Sequence, residues 1–144
     1  MPERPFISRD GKQPLGLRED GEPYRVLVID DSVFIVKQLT QILTSEGFEV
    51  VGTAGNGTEG LEKYKELYPG VDLVTLDITM PDMDGLACLE QILAFDKATR
   101  VVMVSAVGKE DKVKKALLLG AKNFIVKPFD RKKILERIIL VLKG

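Results

Sequence analysis

Five short apolar runs set the pattern of this chain, each closed by turn residues and each followed by a segment of helical period. The runs at 25–29, 48–54, 73–76, 100–104 and 123–126 read as buried strands, although Gly52 weakens the second. Residues 32–46 carry Ile35, Leu39 and Ile42 on one stripe with Val36 and Leu43 beside it, which is helical spacing. Helices are also expected over 58–68 through Leu61, Tyr64 and Leu67, over 85–95 through Leu86 and Leu89, and over 110–119. A last helix over 130–142 turns Ile134, Ile138 and Val141 inward and takes Asp130 as its N-cap. Gly47, Pro69-Gly70, Gly120 and Pro128 are the stops. Strands alternating with amphipathic helices require a parallel sheet covered on both faces with right-handed crossovers, so the fold class is α/β, a doubly wound (βα)5 unit.

The first 23 residues differ from this pattern. They are rich in Pro and Gly and poor in apolar residues, as expected of an unstructured extension or a strap packed loosely on the domain formed by 24–144. Net charge is -1, so no basic footprint for nucleic acid or anionic membrane exists. No apolar run approaches a membrane span, and residues 1–16 lack the apolar core of a secretory signal. The single Cys88 has no internal disulfide partner and suits a reducing compartment, so a cytoplasmic location is expected. The chain has no histidine, which excludes His-based zinc sites and Ser-His-Asp triads. Any imidazole its chemistry needs must come from a partner.

In a parallel sheet the C-terminal strand ends share one edge, where such proteins place their chemistry. The first strand ends in Asp30-Asp31, the third in Asp77, the fourth in Ser105 and the fifth in Lys127. Crowded carboxylates tolerate ionisation only beside a cation. Hard oxygen ligands suit Mg²⁺, which takes one or two carboxylates and keeps several waters. A metal, a lysine, a hydroxyl and a nucleophilic carboxylate are together equipment for phosphoryl transfer. Each residue also has an ordinary reading. Asp31 could cap the helix starting near Ser32, Asp77 could satisfy turn amides before Pro81, and Ser105 and Lys127 could be a plain strand end and a surface lysine. Asp82 and Asp84 read as turn and N-cap residues, and Cys88 as a core or neutral surface residue.

On these residues residues 24–144 resemble the receiver domain of two-component response regulators, and among them the single-domain chemotaxis type. The resemblance rests on Asp30-Asp31 after VLVI, Asp77 in LDITMPDMDG, Ser105 in VVMVSA, and Lys127-Pro128-Phe129 after NFIV. It implies a sheet in the flavodoxin-like order 2-1-3-4-5. It further implies that Asp77 accepts a phosphoryl group from a phosphohistidine on a partner histidine kinase. Asp31 would bind Mg²⁺ directly, Asp30 through water, and Asp77 and the Thr79 carbonyl would complete the protein ligands. Lys127 would pair with the carboxylate and then with phosphoryl oxygens, across a cis Lys127–Pro128 bond. Ser105, gaining a partner it lacked, would shift to the phosphoryl group, and Phe124 would swing inward behind it.

The implied readout face is the fourth helix, fifth strand and fifth helix, near Lys109, Lys112, Lys115, Lys122 and Phe124. Many chemotaxis receivers carry Tyr where this chain has Phe124, which offers a partner no hydroxyl. Thr79 and Val107 flank the approach of hydrolytic water, and Val107 gives it no hydrogen bond, so self-dephosphorylation is expected to depend on a partner phosphatase or to be slow. Since the sequence stops two residues after the last helix, no attached output domain is expected. Output is then by protein binding, as a monomer, with the flagellar motor switch protein as the expected target. The alternative is a phosphorelay intermediate passing phosphate to a histidine phosphotransfer protein. The chain is not expected to be an enzyme beyond its own phosphorylation and dephosphorylation. An aspartyl phosphatase would need an acid where Thr79 stands, and a flavin module a Ser/Thr/Gly-rich loop where this chain has Asp30-Asp31-Ser32-Val33-Phe34.

Overall fold

The computed structural model describes residues 14–106 and 109–144, so Val107 and the first thirteen residues of the extension lie outside the described residues. The elements follow in strict alternation: β1 (Arg25–Ile29), α1 (Val33–Ser45), β2 (Glu49–Ala54), α2 (Gly57–Leu67), β3 (Leu73–Leu76), α3 (Gly85–Phe95), β4 (Val101–Ser105), α4 (Glu110–Leu119), β5 (Asn123–Val126) and α5 (Arg131–Lys143). All neighbouring strands pair in parallel, in the order β2-β1-β3-β4-β5. The expected (βα)5 architecture and strand order are therefore those observed.

Period-2 alternation divides the core into two layers. Leu27, Ile29, Val74, Leu76, Met103 and Phe124 pack with α2, α3 and α4 residues on one face of the sheet. Val26, Val28, Leu73, Val102, Val104 and Ile125 pack with α1 and α5 residues on the other. Thr75 falls in this alternation with its residue 1% exposed and, among the described residues, no partner for its hydroxyl. A buried hydroxyl that makes no hydrogen bond carries an uncompensated desolvation cost. Thr75→Val is expected to raise the unfolding free energy by about 1 kcal/mol in a urea titration; a loss of stability would show that the hydroxyl is satisfied.

Side-chain caps explain where the helices begin. Ser32, Asn56, Asp84 and Asp130 each accept from the backbone N–H three residues on. Asn56 starts α2 at Gly57, one residue earlier than the sequence pattern predicts, and Asp130 confirms the expected cap of α5. β4 runs to Ser105 because that residue still pairs with Val126. Opposite β1 the register slips between Val26 and Leu27, so Val26 faces Val50 while Leu27 faces Gly52.

The described part of the extension is a hydrogen-bonded strap. Gly16 N–H donates to Glu46 O at 2.7 Å, Tyr24 N–H donates to Gly16 O at 2.7 Å, and Leu17 bridges Pro23. The buried Glu46 carboxylate accepts from Leu15 N–H and pairs with Arg131 at the start of α5. At the N-terminal edge of the sheet, Tyr64 hydrogen-bonds Thr99, Tyr68 donates to Asp96, and both rings meet Phe95 edge-on. The Tyr68–Pro69 bond is cis, which nothing in the sequence pattern suggests.

Candidate functional site

The β1 end is turned inward by its own hydrogen bonds. Asp30 N–H donates to Ala54 O at 2.9 Å, and Asp30 Oδ1 accepts from Ser32 N–H at 2.9 Å. Ser32, not Asp31, caps α1, so Asp31 is left exposed with its carboxylate uncommitted to the helix. Asp77 follows β3 and is tied to β1 by its N–H to Ile29 O at 3.0 Å. Carboxylate oxygens of Asp30, Asp31 and Asp77 lie within 4.8 Å of one another.

Lys127 reaches this acid cluster from the end of β5. Its Nζ stands 2.8 Å from Asp30 Oδ2 and 3.4 Å from Asp77 Oδ2, and the lysine side chain is 13% exposed. Its backbone N–H donates to Ser105 O at 2.9 Å, and the Lys127–Pro128 bond is cis, as expected. Asp30 Oδ2 meets Lys127 as a charge pair without hydrogen-bond geometry, and among the described residues this buried anionic oxygen has no directed donor.

Burial of Asp77 pushes its carboxyl above the ordinary carboxylate range, and the charge of Asp30 pushes it further. Lys127 and a hydrogen bond from Ser105 oppose that rise without cancelling it. Ser105 is fully buried. The expectation that it acquires a partner only with a phosphoryl group is corrected here, because its side chain already meets Asp77. Phe124 is likewise already inside, 8% exposed in the α2–α4 layer, so the inward swing is not needed to reach this position. The β5 position that lies outward is Val126, 44% exposed.

Thr79 is exposed in the loop between β3 and α3, and Val107 lies outside the described residues. Lys109, Lys115 and Lys122 are exposed and Lys112 is half-buried. The sequence pattern drew attention to these lysines but not to the exposed apolar residues among them, Leu118 on α4 at 87% and Leu140 on α5 at 61%. Nor did it single out Val33 and Phe34, 70% and 74% exposed on the first turn of α1 beside the acids.

Three carboxylates that can each offer a hard anionic oxygen to one point fit a small divalent cation. A buried carboxylate flanked by a lysine and a hydroxyl can act as a nucleophile toward an anionic electrophile. No helix among the described residues is long and apolar enough to cross a membrane.

Comparison with known proteins agrees with this geometry. The sequence profile of the response regulator receiver domain matches residues 26–139. The chemotaxis protein CheY of Treponema pallidum is 64% identical over 138 residues, covering 96% of each chain. CheY of Bacillus subtilis is 48% identical over 115 residues, 80% of this chain and 94% of that one. A chain in the crystal structure of the CheX–CheY–BeF3–Mg²⁺ complex of Borrelia burgdorferi superposes with a TM-score of 0.90 at 57% identity. That match covers 92% of this chain and all of the other.

Proposed function

Since the chain belongs to the response regulator receiver domain family, and within it is a CheY-like chemotaxis response regulator, we propose that Asp77 is its phosphoacceptor and a partner histidine kinase its phosphodonor. The observation that carries this reading is the convergence of Asp30, Asp31 and Asp77 on one point with Lys127 charge-paired to two of them. In the transfer, a carboxylate oxygen of Asp77 bonds to phosphorus as the P–N bond to the donor imidazole breaks. The leaving imidazole keeps the electron pair and takes a proton. The Asp31 and Asp77 carboxylates and the Thr79 carbonyl, with Asp30 through water, would hold Mg²⁺, which would neutralise developing charge on the phosphoryl oxygens. Lys127 has an ammonium in place to follow charge from the Asp77 carboxylate onto the transferred group. Ser105 exchanges its contact with Asp77 for one with the phosphoryl oxygens, and this change biases the packing of Phe124.

The signal then passes by protein binding on the face of α4, β5 and α5, in the cytoplasm, with the flagellar motor switch protein as target. Support for chemotaxis over a relay role comes from two CheY relatives, 64% and 48% identical over 96% and 80% of this chain. Intrinsic phosphate loss is slow or assisted by a separate phosphatase on this reading, and comparing the hydrolysis rates of Thr79→Ala and Val107→Ala separates their parts in guiding water. The direct test is phosphorylation by acetyl phosphate or binding of beryllofluoride with and without Mg²⁺. Uptake at equal rates with excess chelator would refute the metal's role.

Val33 and Phe34 also bear on the donor. Exposed apolar side chains beside a charged pocket suit a macromolecular donor that docks on α1. Phe34→Ala should weaken transfer from the phosphorylated kinase by about 2 kcal/mol in transition-state binding, while leaving acetyl phosphate uptake unchanged. Equal losses with both donors would place Phe34 in the pocket's own architecture instead.

A further inference from the structure

The loop from Ile78 to Asp84 carries Thr79 and must keep its shape for the pocket above to work. Its base is closed from within, where Gly85 N–H donates to Ile78 O at 2.7 Å. There the chain passes so close to itself that a Cβ on Gly85 would stand 1.9 Å from Asp77 O. Its far limb is braced from outside by a different helix. A Cβ on Gly57, the first residue of α2, would stand 2.1 Å from the Met83 carbonyl oxygen and 2.8 Å from Met83 Cβ. Gly57 has ordinary negative φ, so glycine is required here for space and not for conformation. The Gly57 carbonyl is held in turn by Cys88 of α3, whose thiol donates to it at 3.5 Å. Burial pushes that thiol up to about 12, so it stays protonated as a donor.

We propose that Gly57 is a positioning residue for the phosphoacceptor loop: the bare backbone of α2's first turn bears directly on Met83 and fixes the limb opposite Thr79. The contact is backbone against backbone, so no rotamer change relieves an added methyl group, and either α2 or the loop must move. This inference rests on the receiver reading for its consequence at the metal, but not for its effect on the loop.

The test uses the whole chain with Gly57→Ala, and Gly60→Ala as control. Gly60 lies on the same helix, but the three atoms nearest a Cβ there all belong to the Ile29 side chain, the first at 2.7 Å. Amide hydrogen exchange of Thr79, Met80, Asp82, Met83 and Asp84 is measured with chelator present, and Mg²⁺ affinity by calorimetry. Gly57→Ala is expected to speed exchange at these amides roughly tenfold and to weaken Mg²⁺ binding about tenfold, as outer-shell changes do. Gly60→Ala should lower the melting temperature with neither effect. Wild-type exchange and wild-type Mg²⁺ affinity in Gly57→Ala overturn the proposal. If Gly57→Ala does not fold, Cys88→Ala decides: faster exchange at the same five amides supports the brace, and unchanged exchange overturns it. Failure of the unaltered protein to bind Mg²⁺ would instead count against the receiver chemistry and leave the exchange result standing.

Discussion

Asp77→Asn takes up no phosphoryl group from acetyl phosphate in the presence of Mg²⁺, and yet unfolds at a higher urea concentration than the unaltered chain when metal is absent. The first result follows from the amide's lack of an anionic nucleophile; labelling with radioactive acetyl phosphate checks it, and labelling at the unaltered rate would overturn the assignment of Asp77. The second follows from the cause of the Asp77 shift. Burial and Asp30 raise its carboxyl above the ordinary 3.8, so the folded chain holds that proton more tightly than the unfolded chain does. Above the raised value, ionised Asp77 therefore costs stability. That cost fades as pH falls through the raised value and is gone below 3.8, where both states are protonated. The advantage of Asp77→Asn should be largest at neutral pH and shrink on acidification, and Mg²⁺ should erase it by stabilising only the unaltered chain. Identical urea midpoints at neutral pH with chelator present would contradict this account.

Lys127→Met separates metal binding from phosphoryl transfer. The ammonium lies against Asp30 and Asp77, where it opposes an incoming cation even as it stabilises the acids. Removing it should leave Mg²⁺ affinity equal or higher in calorimetry. Phosphoryl uptake should fall roughly 10²–10³-fold, the usual loss for one preorganised charge-stabilising donor. In the absence of metal, two buried carboxylates face each other without compensation, so the urea midpoint should drop and Mg²⁺ should restore it. Parallel losses of metal binding and uptake would mean that Lys127 builds the pocket instead of serving the transfer.

The strand ends were legible because periodicity and turn chemistry are local. Leu73–Leu76 and Asn123–Val126 stand where the apolar runs place them, and Asp130 caps α5 as its position before the amphipathic segment predicts. The gathering of Asp30, Asp31, Asp77, Ser105 and Lys127 follows from topology once the strands are parallel. What stayed hidden depends on distances between segments far apart in sequence. Nothing near Gly57 reveals that its missing Cβ makes room for Met83, and nothing near Glu46 announces its pairing with Arg131. The contact of Ser105 with Asp77 and the burial of Phe124 stayed hidden for a related reason. Burial at a strand end is decided by the helices laid across it, and residue type alone does not state it.

The aromatic corner formed by Tyr64, Tyr68 and Phe95 has a spectroscopic consequence. The chain has no tryptophan, and its third tyrosine, Tyr24, also precedes the sheet's N-terminal edge. Two of the three tyrosines, Tyr64 and Tyr68, thus sit together in one aromatic cluster with Phe95. Tyrosine emission therefore reports chiefly on melting of that corner. A tryptophan introduced at Phe124, against an otherwise dark background, would give the switch an optical signal of its own.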